Sequence, residues 1–111
     1  MGDVMQFRDD PLPERRAMER IKALWNEGHV TFWPHCQEQM IERKLETTDI
    51  GNIIRTGRVV KTERPRHRWR YTVEGTIENA WAACVVEING MLIVVTAIDP
   101  KHWRRWNRQT R

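Results

Sequence analysis

Cysteine is scarce in this chain. Only Cys36 and Cys84 occur among 111 residues, and they stand too far apart for a C-x-x-C pair or any other metal-ligand spacing. That excludes a disulfide framework and points to two small buried apolar residues of a reducing compartment, with a single bond between them as the alternative. Long apolar runs are missing as well. The longest, "MLIVVTAI" from Met91 to Ile98, is far too short to cross a bilayer as a helix. The first residues, "MGDVMQFRDDPLPERR", have no apolar stretch after their charges, so an ordinary signal peptide is not expected. Gly2 invites myristoylation, but Gln6 stands where that pattern needs Ser or Thr. The expectation is a cytoplasmic protein without a membrane partner. Acid is absent from the tail, "KHWRRWNRQTR".

What is present is arginine. Fifteen of the nineteen basic residues are Arg, and they are unevenly spread. Residues 1–54 hold seven Lys/Arg against ten Asp/Glu, a balance of −3, and residues 55–111 hold twelve against five, a balance of +7. The planar fork of arginine matches two phosphate oxygens. A basic second half therefore points to a polyanion or an acidic partner, with a merely solvated surface as the plain alternative.

The length predicts one domain, residues 1–111, with one core. Residues 1–12 are polar and expected to be loose. "PLPERRAMERIKALWNEG" predicts a helix from Pro13 to Gly28, with Met18, Ile21, Leu24 and Trp25 on one face. "HVTFW" predicts a short strand ended by Pro34, and "HCQEQMIER" a second helix. A third helix is expected to begin at Thr47 or Thr48 as N-cap, to bury Ile50, Ile53 and Ile54, and to stop at Gly57. Four strands follow: "RVVKTE", "RWRYTVEG", "AWAACVVEI" and "MLIVVTAI". Asn89-Gly90 is a hairpin signal between the last two, and these two, apolar on both faces, belong in the middle of the sheet or under a helix. Trp103 and Trp106 in the tail, residues 99–111, are most simply explained by a short helix laid on the sheet. The fold class is α+β, with three N-terminal helices packed on a four- to five-stranded antiparallel sheet.

The candidate chemistry lies on the second helix. His35, Gln39 and Arg43 recur at four-residue steps, which makes a polar stripe beside the core-facing Cys36 and Met40. His35 in the first turn, where the helix dipole disfavours the imidazolium, is a candidate proton acceptor; a plain capping role is the bland reading. Arg43 has an equally plain alternative in an ion pair with Glu46 or Asp49. In "RWRYTVEG", Trp69, Tyr71 and Val73 share one face and Arg68, Arg70 and Thr72 the other. Arginine beside aromatic rings on a sheet is one way of holding RNA, and a buried aromatic face is the ordinary outcome. Membrane-surface binding by the tail, and zinc binding among His35, Cys36, His67, Cys84 and His102, have little support in length or spacing.

The motifs "F-x-x-H-C-x-x-Q-M-x-E-R-x-L", "D-I-x-x-I-I-x-x-G-x-V-V", "R-Y-x-V-x-G" and "L-I-V-V-T", in that order over residues 30–98, resemble the bacterial domain-of-unknown-function family numbered 4258. That family typically has alanine where Cys36 stands and glycine where Lys44 stands. It is grouped by resemblance with ribonuclease toxins of the RelE and BrnT kind. The resemblance implies helices on a curved antiparallel sheet (RelE/barnase-like). It also implies metal-independent RNA cleavage by 2′-hydroxyl attack, no cofactor, and a cognate antitoxin as protein partner. By motif, His35 would be general base or acid, Arg43 and Arg70 would hold the phosphate, and Tyr71 would stack on a base or give a proton. The RNA-binding set would be Arg58, Lys61, Arg66, His67, Arg68, Thr96, Arg104 and Arg105. A non-catalytic module that binds nucleic acid or protein through the same arginines is the competing expectation.

Overall fold

The computed structural model describes residues 10–110, with side chains as far as residue 107. The elements are α1 (Glu14–Asn26), β1 (Val30–Phe32), α2 (Pro34–Glu42), α3 (Thr47–Thr56), β2 (Arg58–Glu63), β3 (Arg70–Ile77), β4 (Ala80–Ile88), β5 (Leu92–Ile98) and α4 (Pro100–Thr110). Of residues 1–12, expected to be loose, 1–9 lie outside the described residues. Leu12, in the same stretch, is held: its N–H donates to the Tyr71 hydroxyl at 2.9 Å.

The class is α+β as expected, but the sheet is mixed and open, in the order β1-β5-β4-β3-β2. β1 runs parallel to β5, with Val30 opposite Leu92 and Phe32 opposite Val94. Everything from α2 to β4 is the crossover between these two strands. A parallel pair needs such a long connection, and local patterning does not reveal it. The other pairings are antiparallel. β4 and β5 lie inside the sheet, as their apolar runs require. The β3–β4 hairpin turns on Glu78 and Asn79, both at positive φ (49° and 68°). This two-residue turn sets Ile77 opposite Ala80 and fixes the register of β4.

α1 and α3 cover one face. They bury Met18, Ile21, Leu24, Ile50, Ile53 and Ile54 against Val59, Tyr71, Val73, Cys84, Val86 and Val94. A fully buried isoleucine contributes about 2 kcal/mol, so α3 is held by its apolar face. Its N-terminus differs from the Thr cap expected from the sequence. Glu46 precedes the helix, and the Asp49 carboxylate reaches back to accept its N–H at 2.8 Å. At its other end, Gly57 is not in a left-handed conformation (φ −98°); it is needed for closeness. A Cβ at Gly57 or at Gly75 would run into the Ile53 carbonyl, so these two glycines let α3 settle directly on β3.

The opposite face of the sheet carries Arg70, Thr72 and Glu74. α4, the helix expected within the basic tail and a fourth beside the three N-terminal ones, lies on this face. Its Trp103 is buried and donates from Nε1 to the Glu74 carboxylate at 2.8 Å.

Candidate active site

The polar stripe of α2 exists, and the sheet explains it. β1 is only three residues long and stops pairing with β5 at Phe32 and Val94. The backbone of β5 beyond that point would be an open edge. Gln39 and Arg43 close it: Gln39 Oε1 accepts from the Ala97 N–H at 3.2 Å, and Arg43 Nη1 donates to the Ala97 carbonyl at 2.5 Å. Two side chains one turn apart thus take the place of a neighbouring strand. The ion pair of Arg43 with Glu46 or Asp49 allowed by the sequence is replaced by this contact.

Gln39 also fixes the state of His35. Its oxygen is committed to the Ala97 N–H, so its amide nitrogen is the donor in the 3.2 Å contact with His35 Nε2. His35 Nε2 must then accept, which places the ring proton of the neutral form on Nδ1. The imidazole is exposed at the head of α2, with its accepting nitrogen already occupied.

Gln39 and Arg43 wall a hollow of about 350 Å³, which Thr96, Ile98, His102, Arg105 and Trp106 complete. A β-bulge aims Thr96 into it. Val94 pairs with Val86 and Thr96 with Val85, leaving Val95 as the extra residue. Strict alternation from Val94 would put Thr96 on the core face; the bulge turns it outward and Ala97 inward. β2 repeats the device. A shift between Val59 and Lys61 sets Lys61 opposite Thr72, on the outer face, where its ammonium lies 5.1 Å from the Trp106 ring. Trp106 in turn stacks on Trp103, with ring centroids 5.0 Å apart. His102 is held by Asp99, Nδ1 to Oδ1 at 2.5 Å.

A second hollow, about 340 Å³, opens on the same sheet face between the β2–β3 turn and Trp33. Its walls include Arg66, His67, Arg68, Arg70 and Glu87. Arg70 donates from Nε to Glu87 at 2.8 Å, and its guanidinium lies 5.2 Å from the Trp33 ring. Arg68 approaches the same carboxylate at 3.9 Å. Glu87 is buried, so Arg70 compensates an internal charge before it meets any ligand.

The sequence-predicted residues are thus divided. Arg43, Thr96 and Arg105 come together in the first hollow, with Lys61 behind Trp106 and His35 one hydrogen bond away through Gln39. Arg66, His67, Arg68 and Arg70 come together in the second. Arg104 stands apart beside Trp81 and Asn79, and Arg58 lies with Glu14 and Glu19 of α1. Tyr71 belongs to neither hollow. It faces the core, 4% exposed, on the side of β3 opposite Arg70, and its hydroxyl is engaged by Leu12. Strand alternation separates neighbours in this way, so Tyr71 and Arg70 do not share a site. His102 was weighed in the sequence only as a zinc ligand. The signal for its pairing was Asp99, three residues before it and just ahead of a helix.

Both cysteines are buried and free. Burial pushes the Cys36 thiol up to about 11, against the opposing pull of the Arg43 guanidinium, and raises Cys84 as well. Neither is an activated nucleophile. Among the described residues no three of His, Cys, Asp and Glu gather in a group fit to hold a metal ion, and no helix is long and apolar enough to cross a membrane.

Fold and site together define an α+β domain with a packed face and an outer face bearing two arginine-lined hollows, one of them with a carboxylate-held histidine. The chain belongs to the family described as a domain of unknown function (DUF4258), whose model matches residues 32–104. That span runs from the end of β1 into α4 and contains the whole lining of the second hollow; of the first it contains all but Arg105 and Trp106. No curated protein and no solved structure matches the chain.

Proposed function

We propose that the protein is a metal-independent endoribonuclease that cleaves RNA by attack of a ribose 2′-hydroxyl on the adjacent phosphate, and that it works as the toxin of a bacterial toxin–antitoxin pair. The observation that carries this reading is the first hollow. Two residues expected from separate motifs (Arg43 at the end of α2 and Thr96 on β5) and one expected from the basic tail (Arg105 on α4) wall it together with a histidine. Such a reaction needs charge aimed at the phosphorane and a group that moves protons. Arg43 spends one N–H on Ala97 and keeps the rest of its five donors for a phosphate. Arg105 faces it across the hollow, and Thr96 adds a hydroxyl. The second hollow, with Arg66, His67 and Arg68 beside Trp33, extends the path for the strand by phosphate contact and stacking. An acidic antitoxin would cover the same face.

The test is incubation of the purified chain, free of any partner, with RNA in the presence of a chelator, with and without ribosomes. Cleavage to a 2′,3′-cyclic phosphate and a 5′-hydroxyl is expected, and a 2′-O-methyl substrate should resist. RNA left intact under both conditions would remove the enzyme reading. Non-catalytic binding is favoured by one observation, the neutralisation of Arg70 by Glu87. It predicts salt-sensitive binding with no cleavage.

A further inference from the structure

One imidazole, His102, lines the first hollow and a second, His35, lies one hydrogen bond away through Gln39; their hydrogen bonds give them opposite capacities. Nε2 of His35 accepts from Gln39, whose own orientation is locked by the Ala97 N–H. To take a proton there, His35 must first give up that bond. His102 is arranged the other way round. Asp99 stands between β5 and α4, its side chain is 17% exposed, and its carboxylate meets His102 Nδ1. The backbone holds the carboxylate in place, because the Asp99 carbonyl accepts the Trp103 N–H at 2.8 Å as α4 begins. A carboxylate on Nδ1 sets the proton of neutral imidazole on that nitrogen and leaves the lone pair on Nε2, at the far end of a ring that lines the hollow. The same carboxylate stabilises the imidazolium once a proton arrives.

From this geometry we infer that His102, oriented by Asp99, is the general base of the proposed reaction. The inference rests on the ribonuclease reading and adds to it the residue that starts the chemistry. His102 Nε2 removes the 2′-hydroxyl proton, and the 2′-oxygen forms its bond to phosphorus. The bond from phosphorus to the 5′-oxygen breaks, and that oxygen receives the proton from the imidazolium, directly or through one water. The products are a 2′,3′-cyclic phosphate and a 5′-hydroxyl, and no proton is consumed overall. Arg43 and Arg105 meet the charge on the non-bridging oxygens. Asp99 acts through His102 and is a positioning residue.

The charged groups around His102 are Asp99, Arg105 of its own helix, Arg43 from α2 and, behind Trp106, Lys61 from β2. Asp99 is the one anion among them.

The experiment measures single-turnover cleavage of an oligonucleotide with one ribonucleotide, and separately the affinity for its 2′-O-methyl counterpart. His102→Ala should lose about a hundredfold or more in rate at unchanged affinity, and added imidazole should restore part of it. Asp99→Asn should lower the rate with affinity unchanged. An active wild type and an undiminished His102→Ala would overturn this assignment and leave the ribonuclease reading standing. So would a loss that tracks weakened binding and does not respond to imidazole. A wild-type chain that cleaves no RNA would overturn both.

Discussion

Strand β3 buries side chains in two different ways, one on each face. Toward α1 and α3 it presents Tyr71, Val73 and Ile77, which join a continuous apolar cluster. Toward α4 and the hollows it presents Thr72 and Glu74, 4% and 8% exposed and therefore almost as well covered. The neighbouring Glu87 on β4 is 5% exposed. The first face is held by area removed from water, which is indifferent to direction. The second is held by matched donors: Trp103 Nε1 for Glu74, and Arg70 with Arg68 for Glu87. Polar burial of this kind is stable only while every partner remains in place. The packed face tolerates exchange of one apolar side chain for another of like volume, and the outer face only changes that keep donors matched to acceptors. A catalytic hollow is better placed on the second, because its charges are already fixed in direction.

The largest effect is expected on the packed face. Gly75→Ala inserts a methyl where the Ile53 backbone lies. Backbone cannot swing aside as a flexible side chain would, so α3 must lift from β3. The cost should be about 3 kcal/mol, read as a lower urea midpoint. A midpoint unchanged within error would mean that the two elements are not as close as described.

On the outer face the effect should be smaller and reversible by chemistry. Arg70→Leu leaves buried Glu87 with only the 3.9 Å approach of Arg68. The Arg70 side chain is itself about a quarter exposed, so the loss should be about 2 kcal/mol, below that of a fully buried pair. Adding Glu87→Leu should recover most of it. RNA affinity sharpens the comparison. If Arg70 also touches phosphate, the double variant regains stability but not binding; if both return together, Arg70 is structural only.

These contrasts show which parts of the molecule were legible in the sequence. The apolar faces of α1 and α3, the interior place of β4 and β5, and the stripe His35–Gln39–Arg43 follow from periodicity, which is local. The parallel pairing of β1 with β5 joins segments separated by most of the chain, and no local pattern encodes it. The two bulges were also hidden. An extra residue at Val60 or Val95 leaves composition unchanged yet reverses the face of Lys61 and Thr96. Tyr71 was assigned to chemistry by motif although alternation in the same strand opposed it to Arg70, and alternation was the better guide. The stripe was read as a cleft wall or an ion pair. Its contact with Ala97 appeared only once β1 proved too short to cover β5.

A smaller loss should follow from Trp103→Phe. The ring still fills its place, but Glu74 loses the donor at 2.8 Å, which costs about 1–2 kcal/mol. A melting shift no greater than that of an exposed control would mean that water replaces the indole N–H.

The smallest effect near neutral pH comes from the thiols. Cys36 titrates near 11 in the folded chain, above its ordinary value of 9.0, chiefly through burial. The folded state therefore binds the thiol proton more tightly than the unfolded state does. Stability from this source is complete below about pH 9 and falls as pH rises toward 11, because there the unfolded chain has lost the proton and the folded chain has kept it. Cys84 is shifted in the same direction by burial and adds to the slope. Cys36→Ala should leave the pH 7 to 8 plateau flat and make the decline above pH 9 shallower, as followed by urea midpoints across the range. The opposing pull of Arg43 on the Cys36 thiol links this titration to the hollow. Arg43→Gln removes that pull, so the Cys36 thiol should titrate higher still in the folded variant. An Arg43→Gln protein in which Cys36 became more reactive toward alkylating agents at pH 8 would show instead that the guanidinium shields the thiol from solvent, and that closing the edge of β5 is the larger part of its role.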